Sequence, residues 1–172
     1  MRFINALSAC VLRDRFDKDY HDQQDLCGLE GFFLALRMLL QVVPGGLFWG
    51  GVPCSSWIFL NMGTSGRKAG AATGDVSQPT VRIANLIASR YALLTMVALA
   101  RSVVWCAEQP SSSLLPNYDR LRAVLNQMHQ HHIFFSCRFS MGLYGASSLK
   151  PTKCFGSAWV PQNAVPKLCW TL

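Results

Sequence analysis

The sequence predicts a single α/β domain in which a mostly parallel sheet carries helices on both faces. Three observations lead there. Hydrophobic residues make up 51% of the 172 residues and charged residues only 15%, a balance that suits central elements covered on both sides. Two short apolar runs without polar alternation, Leu47-Phe48-Trp49-Gly50-Gly51-Val52 and Val103-Val104-Trp105-Cys106-Ala107, read as strands buried in a parallel sheet. A helical segment lies between them, and the strand-loop-helix-strand succession predicts parallel strands joined by a right-handed crossover. A chain of this length buries roughly two thirds of its unfolded surface, enough for one core.

Taken in order, residues 1–24 are mixed and polar, with 17–24 reading as a loop that says little about the fold. Over 29–43 apolar residues recur at Phe32, Leu36, Leu39, Leu40 and Val43, which is helical spacing, and Pro44-Gly45-Gly46 stops the helix. The first strand follows and ends at Pro53-Cys54. The stretch 55–78 is rich in Ser, Gly and Thr and reads as a long loop of the kind that carries function. Pro79 suits a first helical turn, and Ile83, Leu86, Ile87, Leu94 and Val97 extend an apolar face to about Ser102. Glu108-Gln109-Pro110 terminates the second strand. A helix bearing Leu121, Val124, Leu125 and Met128 comes next, then a strand over 132–139, a last strand near 152–155 and an irregular tail over 156–172.

Several classes are disfavoured. The greasy region 86–107 is broken by Arg90 and Arg101, leaving a charge-free run too short to span a bilayer. The apolar run 3–12 is followed by Arg13, Asp14 and Arg15 without a cleavage pattern, so the chain reads as not secreted but intracellular, in nucleus or cytoplasm. Seven cysteines without a Cys-x-x-Cys pair suggest neither a disulfide framework nor a zinc knuckle, and His129, His131 and His132 lack a Cys or carboxylate at ligand spacing, so no metal is expected. The net charge of +7 is uneven: residues 31–172 hold twelve basic against three acidic side chains. That surplus suits either a polyanionic partner such as nucleic acid or simply a soluble basic surface.

Ligands of open parallel sheets bind beyond the carboxyl ends of the strands. Cys54 and Glu108 end the two central strands and are expected to face one cleft. A thiolate is a strong nucleophile, and a neighbouring carboxyl group can hold or donate a proton on the atom that gains electrons after attack. The plainer alternatives are an inert core thiol for Cys54 and, for Glu108, a structural ion pair with Arg90 or Arg101. Trp57 and Phe59 either stack on a base or pack. Gly63-Thr64-Ser65-Gly66-Arg67-Lys68 fails the spacing of a nucleotide phosphate loop.

Pro53-Cys54 after one buried strand and Glu108-Gln109-Pro110 after the next resemble the Pro-Cys and Glu-Asn-Val or Glu-Asn-Pro signatures of the C5-cytosine methyltransferases. The runs 51–57, 61–67 and 108–113 are similar to a largely algal group of uncharacterised proteins. The resemblance spans roughly residues 25–155. It implies a Rossmann-like methyltransferase-type fold, incomplete at the N-terminus, with S-adenosylmethionine as cofactor and a nucleic-acid base as substrate. It further implies that Cys54 attacks C6 of a flipped-out cytosine while Glu108 holds or protonates N3. Asp25 would meet the cofactor adenine, with Pro53 beside the cofactor. Ser55, Arg67, Lys68, Lys150 and Lys153 would contact nucleic acid.

The sequence departs from the family in lacking a Phe-x-Gly-x-Gly turn upstream of Asp25, in carrying Gln109 for Asn, and in having no room for a target-recognition domain. Two functions therefore stand: a methyltransferase-like enzyme, with a second chain or an N-terminal half supplying the cofactor loop; or an inactive or truncated relative that binds nucleic acid or protein. No membrane partner is expected.

Overall fold

The computed structural model describes residues 16–157 except Tyr20 and Ala146. In chain order the elements are α1 (Leu29–Gln41), β1 (Leu47–Gly50), α2 (Met62–Ser65), α3 (Pro79–Ala100), β2 (Val104–Pro110), α4 (Asp119–Gln130), β3 (Phe134–Ser140) and β4 (Pro151–Ser157), with 3-10 turns at Asp22–Gln24, Phe59–Asn61, Leu115–Asn117 and Met141–Tyr144. The expected tail beyond Ser157 and residues 1–15 lie outside the described residues.

The helices start and stop where local chemistry requires. Pro79 opens α3 without forfeiting a hydrogen bond, because a first-turn N–H has no intrahelical partner. Gly45, in the left-handed region at φ +79°, ends the turn after α1, and its N–H reaches Ser102 O at 2.7 Å, tying that turn to the one after α3. On α4 the buried residues are Leu121, Val124, Leu125 and Met128, the stripe its spacing predicts. By length and composition alone α3 would also cross a membrane. In this fold it instead buries Tyr91, Leu94 and Ala98 in the core.

Among the described residues the domain is α/β with a four-stranded mixed sheet in the order β1-β2-β4-β3. β1 and β2 are parallel with Leu47 opposite Val104 and Gly50 opposite Ala107, whereas β4 runs antiparallel to both β2 and β3. A mostly parallel sheet was expected. The difference arises because β3 and β4 are joined by only the ten residues 141–150, too few for a crossover helix, so the chain turns back and slots between β2 and β3. β2 also runs through Glu108-Gln109-Pro110 rather than stopping there, since β4 supplies partners as far as Pro110.

Helices on both faces were expected too. Among the described residues, α3 and α4 cover one face of the sheet and α1 leans on α3 in the same layer. Residues alternate along a strand, so Phe48, Trp105, Ala107 and Phe155 face this layer. Tyr91 of α3 lies 5.7 Å from the Phe48 ring and 6.1 Å from Trp105, whose other side meets Phe155 edge-on at 5.8 Å. Trp105 and Phe155 are fully buried, each side chain contributing about 1.5–3 kcal/mol by leaving water. Trp105 Nε1 donates to Tyr91 Oη at 2.8 Å, which satisfies a polar group this burial would otherwise strand. Among the described residues β1 is an edge strand, not one buried on both faces: Leu47 and Trp49 are each more than half exposed, while Phe48 and Gly50 turn toward α3.

Candidate functional site

β1 and β2, neighbours and parallel, send their carboxyl ends to the same edge of the sheet. Gly51-Val52-Pro53-Cys54 leaves β1 at that edge, and Trp57 N donates to Cys54 O at 2.8 Å, closing a tight turn. Cys54 is half-buried. Trp57 anchors the turn: it is wholly inaccessible, meets Tyr118 edge-on at 5.4 Å and lies 3.5 Å beneath the Arg67 guanidinium. Of the two aromatic residues named as stacking candidates, Trp57 therefore packs. Phe59 is 69% exposed.

Glu108 lies in β2 between the inward-facing Ala107 and Gln109, so alternation lifts its carboxylate onto the face away from α3. Its side chain is 25% exposed, and Oε1 is buried without a hydrogen-bond partner. The nearest cation is Lys150 Nζ at 3.8 Å, an ion-pair contact too long for a hydrogen bond. Neither Arg90 nor Arg101 pairs with it: Arg90 donates to Leu26 O and Gly28 O at 2.6 and 2.8 Å, and Arg101 Nη2 reaches Val42 O at 3.4 Å.

Gln109 joins the two strand ends. Its Nε2 donates to Val52 O at 2.6 Å and its Oε1 accepts from Ser113 Oγ at 2.8 Å, all in the buried interior. Sequence reasoning noted this residue only as a replacement for Asn. The signal available was its position, a polar side chain on the inward phase of an apolar strand, where a buried amide has to find partners.

The remaining candidates scatter. Arg67, expected at a phosphate, is 1% exposed and spent on the interior. Its Nε donates to Ser56 O at 2.9 Å, Nη2 to Ser56 Oγ at 2.9 Å, and Nη1 to Asn85 Oδ1 at 2.9 Å, to Thr73 O at 3.2 Å and to Ala72 O. All these partners are neutral, and burial pulls the guanidinium down to about 10, still protonated at neutral pH. Lys68 is exposed on the neighbouring turn. Lys153 pairs with Gln109 and so projects to the helix side of the sheet, opposite Glu108 and Lys150. There it lies 5.4 Å from the Phe155 ring, with burial and then Arg138 lowering its pKa. The two lysines do not form one patch.

Asp25 precedes α1, with Oδ1 accepting from Cys27 N at 2.8 Å in a local turn. A cleft of about 330 Å³ lies beside the Cys54 turn, walled by Pro53, Ser55, Asn61 and Thr64 on one side and by Thr80 and Ile83 of α3 on the other. Cys54, Glu108 and Asp25 do not line it; the cleft flanks the thiol. Cys106 and Cys154 sit on the same sheet face as Glu108. Burial, then Cys154, pushes the Cys106 thiol up to about 12; burial, then Cys137, pushes the Cys154 thiol up to about 11 against a hydrogen bond with Cys106 that lowers it, which makes both poor nucleophiles. Among the described residues no group of three or more His, Cys, Asp or Glu could hold a metal ion.

The fold and the site define a mixed-sheet α/β domain with a thiol and a carboxyl group at one strand edge. No protein-family model, curated protein or solved structure matches the chain.

Proposed function

We propose that this domain is a C5-cytosine methyltransferase-like centre in which Cys54 is the nucleophile and Glu108 the group that grips the ring. The observation that carries the reading is the orphaned Oε1 of Glu108, a buried acceptor at the strand edge from which the Cys54 turn also departs. A buried carboxylate oxygen without a donor costs about 1–3 kcal/mol or more, and an N–H or amino group of a bound base would recover it. The sheet is also compatible: β1, β2 and β3 share one direction and only β4 opposes them, as a Rossmann-like sheet with one reversed strand requires.

In this reading the Cys54 thiolate adds to C6, and the electron pair of the C5–C6 bond moves toward C5 as Glu108 holds the proton at N3. Lys150, half-exposed beside Glu108, sits where a phosphate or the base would displace it. S-adenosylmethionine would supply an electrophilic methyl group for C5. Loss of the C5 proton and expulsion of the Cys54 thiolate then restore the ring. The cleft beside the turn suits such a cofactor in size, Pro53 lines it, and the hydroxyls of Ser55, Thr64 and Thr80 suit its ribose and amino-acid oxygens. Asp25, which the resemblance assigns to the adenine, is outside it.

The test is a 5-fluorocytosine oligonucleotide offered with cofactor to the wild type and to Cys54→Ser. Fluorine at C5 cannot leave as a cation, so a covalent adduct should accumulate with the wild type and be absent from the variant. An adduct that survives the substitution removes Cys54 as nucleophile; no adduct and no cofactor heat in calorimetry at millimolar concentration remove the methyl-transfer reading.

A further inference from the structure

The strand edge that holds Cys54 and Glu108 is also where the most exposed apolar side chains of the described chain stand. Leu60 (85%), Leu143 (79%), Leu149 (77%) and Tyr144 (76%) rank highest and are joined by Phe59, whose 69% is matched only by Val43 before the other end of β1. All five lie on two loops. One is the segment after the Cys54 turn, where Phe59 and Leu60 open a 3-10 turn; the other is the β3–β4 connection, at the carboxyl end of β3. Lys150, next to Leu149, reaches Glu108, so this second loop adjoins the site directly. Ordinary packing does not explain the exposure. Tyr144 touches Phe139 edge-on at 5.4 Å but leaves the rest of its ring in water.

We propose that these two loops form a stacking rim for an unpaired nucleic-acid strand, with Tyr144 and Phe59 as base platforms on either side of the Cys54–Glu108 edge. The inference names a substrate class for the site proposed above and rests on that reading for the base-handling pair alone. Charge complementarity selects a polyanion, since residues 31–172 carry twelve basic and three acidic side chains, of which the exposed Lys150 belongs to the second loop and the exposed Lys68 follows the first in sequence. The character of the rim selects a single strand. A duplex offers phosphates and groove edges, from which bare leucines and aromatic rings gain little. Unpaired bases expose flat apolar faces, each of which stacks on an aromatic side chain for about tenfold or more in affinity.

The experiment measures affinity of the full chain for a labelled single strand, the same sequence as a duplex, and an abasic single strand of equal length, each as DNA and as RNA, over a salt series. The single strand of at least one sugar type should bind ten times or more tighter than its duplex and its abasic analogue. Tyr144→Ala should weaken single-strand binding about tenfold without changing the salt slope, Tyr144→Phe should restore it, and Phe59→Ala should act like Tyr144→Ala. Lys150→Ala should reduce the slope by about 1. Both aromatic side chains are exposed, so neither truncation threatens folding. Equal affinity for duplex or abasic strand with both sugars, or a Tyr144→Ala effect under twofold, overturns the proposal. Cofactor calorimetry on the same preparation separates the two readings: single-strand preference without cofactor heat removes methyl transfer and keeps the rim. Cofactor heat with a trapped adduct but no single-strand preference does the reverse.

Discussion

Replacing Arg67 with Met tests whether this cation is an internal brace or a phosphate contact. Methionine keeps an unbranched apolar stem over Trp57 but removes every donor. Thr73 O would still receive Asn85 Nδ2 at 3.0 Å, whereas Ser56 O, Ala72 O and Asn85 Oδ1 would each lose the donor that Arg67 provides. Ala72 is 3% and Asn85 9% exposed, so water replaces little of what is lost. At about 1 kcal/mol for each stranded acceptor, the cost is about 3 kcal/mol. Relief from desolvating an unpaired guanidinium offsets part of it. For a domain of this size, 3 kcal/mol corresponds to a fall of about 6–12 °C in Tm. Urea unfolding followed by tryptophan fluorescence reads the change directly, because Trp57 and Trp105 are fully buried. Arg67→Lys should fall between the two, keeping a charge but fewer donors. A wild-type urea midpoint for Arg67→Met, together with weakened nucleic-acid binding and a reduced salt slope, would refute the brace and restore the surface role that its loop position suggests.

A Cβ added to Gly50 would stand 2.1 Å from Tyr91 Oη, whereas one added to Gly51 meets nothing within 4 Å. Gly50→Ala should therefore cost about 1–3 kcal/mol by forcing β1 from α3, and Gly51→Ala under about 0.5 kcal/mol; equal urea midpoints for the two variants would disprove that close approach. The Cys106 and Cys154 thiols have folded-state pKa values above the unfolded thiol value, so the native state binds more protons than the unfolded chain at alkaline pH. Their contribution is complete below about pH 9 and lost as pH rises toward 12. The urea midpoint should fall between pH 9 and pH 11 less steeply in Cys106→Ala than in the wild type, and identical pH slopes would place these thiols in contact with solvent.

Elements defined by local period were legible in the sequence, and relations between distant segments were not. Leu121, Val124, Leu125 and Met128 mark α4 because a helix shows its buried stripe within four residues. The apolar runs around Trp49 and Trp105 located two strands and the parallel step between them. Nothing local shows that β4 inserts between β2 and β3; that depends on which partners remain open once a ten-residue loop turns the chain back. The same limit explains Arg67. A guanidinium among Ser, Gly and Thr looks like a surface cation, and only the loop folding over it, with Trp57 beneath and Asn85 behind, turns it inward. Cys54 was legible as a residue just past a strand end, whereas Glu108, expected to end its strand, lies inside β2; its orphaned oxygen and the partner at 3.8 Å were not legible at all.

The geometry around Cys54 and Glu108 is set less by these two residues than by two clamps beneath them. Backbone pairing between β1 and β2 ends at Gly50 and Ala107, before either Cys54 or Glu108. Beyond that point the β1 exit is held by the Gln109 amide on Val52 O and by Arg67 on Ser56, and these two contacts bracket Cys54 within five residues. An amide at position 109 is the side chain that can donate to one strand exit while accepting from Ser113 on the other side. Glutamine has one more methylene than asparagine and so bridges a wider gap between strand ends. Through this one side chain the segment that leaves β1 and the segment after Glu108 are physically joined, and the functional reading needs both.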